Sequence, residues 1–276
     1  LAVSAAVQSM NDSTYWNRST FSKGLATQGR VIGALIMREL HTRYGRDNIG
    51  YLWLLGEPLM LAVVIALLHS GGSKSFGDIN PVAFTVVGYT IFIMFRGIVN
   101  RSEGALESNL PLLYHRMVTV FDITIARSLL EAAGTVMAFT VLFAFCLIVG
   151  FTEFPPQPIF IFVGIICVFW MSLAVSLIIT GVTYENRLLE RFVHPMTYFM
   201  IPISGAFFRV GWVPRPLRDY LLYNPFPQMF EMIRYGAFEG CTLEFVEFQY
   251  IAACLLVLTF FGLLSVRAVT RRIHLH

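Results

Sequence analysis

RVIGALIMRELHTRYGRDNIGYLWLLGEP, running from Arg30 to Pro58, is the stretch whose reading decides the fold. On a helix, Gly33, Ile36, Met37, Leu40 and Tyr44 share one stripe, and Arg38, Glu39, Thr42 and Arg46 share the other. Arg43 stands at the border, four residues after Glu39 and in the favourable acid-then-base order. Gly45 and Gly50 punctuate the pattern, and a nearly unbroken apolar run follows from Tyr51 to Leu68. A basic amphipathic helix that leads straight into such a run reads as a segment lying in a membrane interface and turning into a spanning helix. The competing reading, a soluble amphipathic helix against a core helix, fails on the later apolar runs, which have the lengths a bilayer demands.

Composition agrees. Of 276 residues, 56% are hydrophobic and 13% charged, and the mean hydropathy is +0.67. A soluble domain carries about 25% charged residues, so lipid is the main solvent of this chain. Cys146, Cys167, Cys241 and Cys254 are scattered with no CxxC pair, which suggests neither a metal site nor a disulfide framework. Residues 1–29 form a polar segment without the architecture of a secretory signal.

The expected architecture is all-α and integral to the membrane, with an interface helix at 30–48. Six spans are expected at about 51–68, 83–99, 122–149, 159–179, 192–208 and 250–269, within one transmembrane domain covering 30–276. The fifth span is interrupted by Pro195 and Pro202. This arrangement divides the 20 Lys and Arg residues unevenly. Lys74, Arg209, Arg215, Arg218 and Arg234 fall on one side and the other fifteen on the opposite side. Basic loops stay cytoplasmic, so both termini are expected there.

Two loops are more than connections. The cytoplasmic loop RSEGALESNLPLLYHRMVTVFD looks helical from Glu103 to Leu113 and suits a short helix docking into a soluble partner. Its candidate contact residues are Glu103, Glu107, Pro111, Leu112, Tyr114 and His115. The other loop, about forty residues after Phe207, is long for a structureless connection and rich in aromatics and prolines. Two short helices, about Arg215–Tyr223 and Pro227–Phe238, suit a re-entrant hairpin that dips into the outer leaflet.

Catalytic motifs are missing: there is no GxxxxGK[ST], HExxH or GxSxG, and no paired His/Asp cluster. Catalytic residues and metal ligands are therefore not expected. Inside the spans, Glu57 and the i,i+4 pair Arg127/Glu131 are the notable ionisable groups. What the spans supply is aromatics, whose faces stack on sugar rings and let a polymer slide. Tyr51, Trp53, Tyr198, Phe199 and Phe207 are the candidates for lining a channel. Arg38, Arg43 and Arg46 lie where headgroups sit, able to anchor the helix or to fork the phosphate of a lipid-borne substrate.

RELHTRYGRDNIGYLWLLGEPL resembles the signature at the start of ABC-2-type polysaccharide export permeases, and NPFPQMFEMIRYGAFEG resembles the segment that family carries before its last span. The likeness spans about residues 30–270 and is greatest to KpsM-type capsular permeases of Gram-negative bacteria. Glu57 before Pro58 departs from the Asn these permeases often have. The resemblance implies the transmembrane half of an exporter, not an enzyme, in the bacterial inner membrane and working as a homodimer. Two copies of a separate ABC ATPase would bind the ATP and Mg and drive export through the 103–115 loop. The substrate would be a lipid-linked capsular polysaccharide, with a periplasmic co-polymerase and an outer-membrane export protein as further partners and no nucleic acid. The alternatives within the class are an O-antigen or teichoic-acid exporter, then a drug or lipid ABC-2 exporter. From other classes come a membrane glycosyl- or acyltransferase, which would need the catalytic cluster missing here, and a channel, which would leave the docking loop unexplained.

Overall fold

A computed structural model describes residues 22–42, 60, 79–114, 118–184 and 186–273, all helix, turn and irregular backbone without a strand. The expected first span at 51–68 and Glu57 lie outside the described residues. The interface helix, α1, is described over 22–42 and so already includes residues 22–29, which the sequence reading gave to the polar segment. Then come α2 (Pro81–Asn100), the short α3 (Leu110–Tyr114), α4 (Val120–Val149), α5 (Pro158–Thr183), α6 (Arg187–Phe199), α7 (Arg215–Leu222), α8 (Pro225–Ala237) and α9 (Phe248–Ile273).

Local chemistry sets the ends. Asn80 Oδ1 accepts from the Val82 amide at 2.9 Å, and Pro81 opens α2 where no amide is needed. Thr119 and Asp122 form a reciprocal capping box at α4, which stops at Gly150 in a left-handed conformation. Pro225 opens α8 behind its cap, Asn224. The helices long and apolar enough to cross a membrane, by length and composition, are α2, α4, α5 and α9, four among the described residues. Each lies within a few residues of its expected span.

Helix α5 is the hub, in contact with α2, α4, α6, α8 and α9. Trp170 Nε1 on α5 donates to Thr259 Oγ1 on α9 at 2.9 Å. Gly236 brings α8 so close to α5 that a β-carbon there would meet Gln157 O and Ile161 at 2.8 Å. The main core runs through α2, α5 and α8, around Phe92, Phe95, Val168, Met171, Phe230 and Ile233. The outward faces of α4, α5 and α9 stay apolar, with Ile148, Phe162, Ile166, Phe260 and Phe261 exposed, as helices solvated by lipid require.

A second, smaller core closes the end that carries Arg38, Arg101, Arg127 and Arg271, here called the basic end. It joins Leu35 of α1, Leu106 and Leu113 of the α2–α4 connection, Val120 and Ile123 of α4, Leu177 of α5 and Val266 of α9.

The expected fifth span is helical only as α6. Pro195 is accommodated inside it, and turns follow the last helical residue, Phe199, through Pro202 to Phe208. The loop before α9 does hold two helices, α7 and α8, close to their expected bounds.

Candidate functional site

The basic end is built around residues 101–114. These form a turn, a 3₁₀ turn at Glu107–Asn109 and then α3. Ala105, Leu106, Asn109 and Leu113 are buried, whereas Glu107, Ser108 and Pro111 are exposed and Leu112 is half-buried against the second core. One side of the segment is thus held and the other offered outward. The backbone of Tyr114 closes α3; His115 lies outside the described residues.

Helix α1 is fastened to this segment by polar contacts. Arg38 donates to Asn109 Oδ1, and Gln28 Nε2 donates to Asp122 Oδ1 at 3.0 Å, so the α4 cap residue also holds α1. Glu39 faces Arg127 at 3.5 Å. Arg127 also donates to Ser108 Oγ at 3.0 Å and to Arg101 O at 3.3 Å, tying α4 to the segment. Arg101 in turn sits 2.5 Å from the buried Glu131 carboxylate. The i,i+4 pair Arg127/Glu131 therefore finds partners on other elements, which spacing along one helix cannot reveal.

Packing turns α1 differently from the sequence stripe. Leu35 is the residue it buries, 7% exposed, while Met37 of the expected apolar stripe is 55% exposed. Val31, Ile32 and Ile36 pack beside Leu35. Gly33 and Met37 thus face away from the protein, on a side they share with the exposed Arg30 and His41. Arg38 lies at the border between the two faces; Arg43 and Arg46 lie outside the described residues.

The channel candidates among the described residues do not form one cluster. Tyr51 and Trp53 lie outside the described residues. Tyr198 is exposed on α6, with the Arg96 guanidinium 4.1 Å above its ring and donating to its hydroxyl. Phe199 beside it is 73% exposed. Phe207 is instead partly buried against Tyr89 of α2, ring centres 5.4 Å apart. Further contacts link α6 to α2 and the turn after it: Thr197 Oγ1 shares its proton between Asn100 Oδ1 at 3.1 Å and the His194 carbonyl of its own helix at 2.8 Å, and His194 Nε2 lies 3.3 Å from Glu103 Oε2.

A charged centre that the sequence reading missed lies at the other end, around Arg234 of α8. Counted there merely as one of the sparse outer cations, Arg234 is fully buried. Its guanidinium donates to Gly205 O at 2.5 Å, Ala206 O at 2.8 Å and Phe208 O at 2.9 Å. Glu231, one turn earlier, is 3.6 Å away and accepts from the Val210 amide at 2.8 Å. Burial pulls the Arg234 guanidinium down to about 10, against the opposing pull of the Glu231 carboxylate, so it stays charged at neutral pH. These contacts fold the 205–210 turn onto α8, with Gly205 at φ +78° supplying the bend. Across the turn, a β-carbon on Gly88 would collide with the Ala206 carbonyl. The available signal was the i,i+3 acid–base pair inside a mostly apolar helix.

The profile of the ABC-2 type transporter family matches residues 30–238. The capsule polysaccharide export inner-membrane protein CtrC of Neisseria meningitidis serogroup B is 37% identical over 251 residues, covering 91% of this chain and 95% of that protein. The capsule polysaccharide export inner-membrane protein BexB of Haemophilus influenzae is 34% identical over 254 residues, covering 92% and 96%. The polysialic acid transport protein KpsM of Escherichia coli is 29% identical over 251 residues, covering 87% and 93%.

Proposed function

We propose that this chain, which belongs to the ABC-2 type transporter family, is the membrane subunit of an ATP-driven exporter of capsular polysaccharide in the bacterial inner membrane. The carrying observation is that its likeness to capsule export proteins extends over nearly their whole length. The apolar outer faces of α4, α5 and α9 support a lipid surrounding.

In this reading the chain is a transport permease rather than an enzyme. A separate ABC ATPase docks on the outward side of 101–114, and two copies of the permease complete the pathway. Six spans, cytoplasmic termini and an α7–α8 hairpin at the outer leaflet complete the proposal, with a periplasmic co-polymerase and an outer-membrane export protein downstream. The fifteen-to-five division of Lys and Arg supports that orientation. The exposed apolar face of α6, with Leu188, Phe192 and Phe199, supports a second copy or the polymer as its neighbour.

The test is a deletion of the gene complemented by the cloned chain, with surface polysaccharide measured on intact cells. Restored surface polysaccharide and co-purification of an ATPase are expected. Normal surface polysaccharide in the deletion strain would reject the substrate class. A reporter active only in the cytoplasm should be active after His276 and inactive when inserted at Gln157; activity at Gln157 would reject the orientation.

A further inference from the structure

We propose that Glu103, Asn100 and Arg96 form a polar ladder with His194, Thr197 and Tyr198, and that this ladder carries movement of the docking segment to α6. The proposal rests on the transporter reading above, and concerns which element of the membrane domain the ATPase moves.

The rungs lie in antiparallel register. As the chain goes from Arg96 through Asn100 to Glu103, the partners go from Tyr198 through Thr197 to His194. Arg96 and Asn100 are spaced i,i+4 and share one face of α2, and Glu103 lies in the turn just beyond it. The two ends of the ladder differ in kind. Arg96 lies over the Tyr198 ring, 4.1 Å from its centre, and donates to its hydroxyl. At the other end Glu103 belongs to the segment that offers its outward side to a partner.

Among the described residues, α6 packs on α5 as well as on α2. Among its residues with described side chains, only Val193 and Thr197 are fully buried, at i and i+4, and Thr197 is itself the middle rung. Leu188, Phe192, Met196, Tyr198 and Phe199 are exposed. A helix buried along so narrow a line moves with the elements that hold it, and the polar part of that hold comes from α2 and the turn after it. The Arg96–Tyr198 and Asn100–Thr197 rungs are hydrogen bonds and so directional, resisting the sliding that an apolar contact between the same helices would allow, and Glu103 and His194 add a polar approach at the end. A shift of the 101–106 turn therefore reaches α6 directly and moves its exposed aromatic side chains, Tyr198 and Phe199.

Thr197→Val removes the middle hydroxyl while keeping the side-chain shape; Thr197→Ser keeps the hydroxyl. Each is compared with the unmodified chain in cells, for surface polysaccharide, and as the purified permease–ATPase complex in nanodiscs, for ATP hydrolysis. Thr197→Val is expected to bind the ATPase and hydrolyse ATP at the unmodified rate while export falls at least about tenfold. Thr197→Ser should export normally. Asn100→Val should match Thr197→Val, and the double variant should be no worse than either, because one rung is lost in each case. Normal export by Thr197→Val, or additive losses in the double variant, would overturn the ladder. So would loss of ATPase binding with export, since the rung would then only hold the docking segment in place. If Thr197→Val fails to fold, the Asn100→Val ratio of polymer exported to ATP hydrolysed decides, with an unchanged ratio overturning the proposal. An unmodified complex that hydrolyses ATP without exporting polysaccharide would reject the transporter reading itself, before any variant is compared.

Discussion

The guanidinium of Arg234 lies over the ring of Phe84, 4.3 Å from its centre, so a charge buried in an apolar domain is covered on one face by an aromatic π-system of α2. In its plane it meets the carbonyls of Gly205, Ala206 and Phe208. One side chain thereby holds together α2, α8 and the turn that follows α6. Arginine suits the position because its planar fork reaches several acceptors and still stacks on a ring.

Arg234→Met should be destabilising by about 3–5 kcal/mol, because the Glu231 carboxylate and the turn carbonyls are left buried without their cation. Arg234→Met with Glu231→Met should be less destabilised than Arg234→Met alone. Thermal unfolding in detergent, followed for the variants and the unmodified chain, checks both. A double variant that melts below the single one would show that Glu231 acts through the Val210 amide rather than through Arg234.

The pH dependence of that loss has a definite sign. Burial holds the folded group at about 10, below the ordinary arginine range. Above about 10, until the unfolded group also loses its proton, the unfolded chain binds the extra proton, so stability rises with pH there. Below about 10 both states are charged, and this group gives no slope. The gap in melting temperature between the unmodified chain and the Arg234→Met/Glu231→Met double variant, which leaves no buried carboxylate without its cation, should therefore be constant from pH 6 to about 9. A gap that changes across that window would mean that the buried group is neutral.

Gly88 and Gly33 are both helical glycines with opposite expected responses. A methyl group on Gly88 strikes the backbone carbonyl of Ala206, whereas nothing lies within 4 Å of the same position on Gly33. Gly88→Ala should destabilise by about 1–3 kcal/mol through overpacking. Gly33→Ala should stabilise by up to about 1 kcal/mol through helix propensity. Melting temperatures of the two variants, measured side by side, check the contrast.

Arg38 has two candidate roles, clamping α1 onto Asn109 or forking a phosphate. If the clamp is its role, Asn109→Ala should reproduce the effect of Arg38→Ala: faster backbone hydrogen exchange in 22–42 together with reduced export. Arg38→Lys should show little of either. Reduced export by Arg38→Lys with unchanged exchange in 22–42 would assign the residue to phosphate recognition instead.

Docking and folding separate within 101–114. Pro111 and Glu107 face outward, whereas Leu113 is 5% exposed in the second core. Pro111→Asp with Glu107→Arg should abolish ATPase co-purification and change stability by no more than about 0.5 kcal/mol for each exposed site. Leu113→Asp should lower the folded yield, because it buries an unpaired carboxylate. Retained ATPase binding by the Pro111/Glu107 double variant would move the docking surface elsewhere.

The sequence by itself determined the spans at α2, α4, α5 and α9, the short helices α7 and α8, and the family. Run length sufficed for the spans because lipid offers backbone groups no other partners: an apolar stretch long enough to cross must satisfy its hydrogen bonds internally, as helix. The Arg38-to-Pro58 and Asn224-to-Gly240 motifs sufficed for the family, although nothing in them says why their charges are needed. That was left to tertiary structure. Leu35, rather than Met37, became the buried residue of α1 because the face a helix buries is chosen by what it meets, here Leu106, Leu113 and Val266. Arg127 and Glu131 took partners from Glu39 and Arg101, which are remote in the chain. Arg234 read as a loop cation, and only folding brought its acceptors together. The backbone carbonyls at 205–208 carry no sequence signal, and their convergence on one guanidinium depends on a turn, α8 and Phe84 meeting in space.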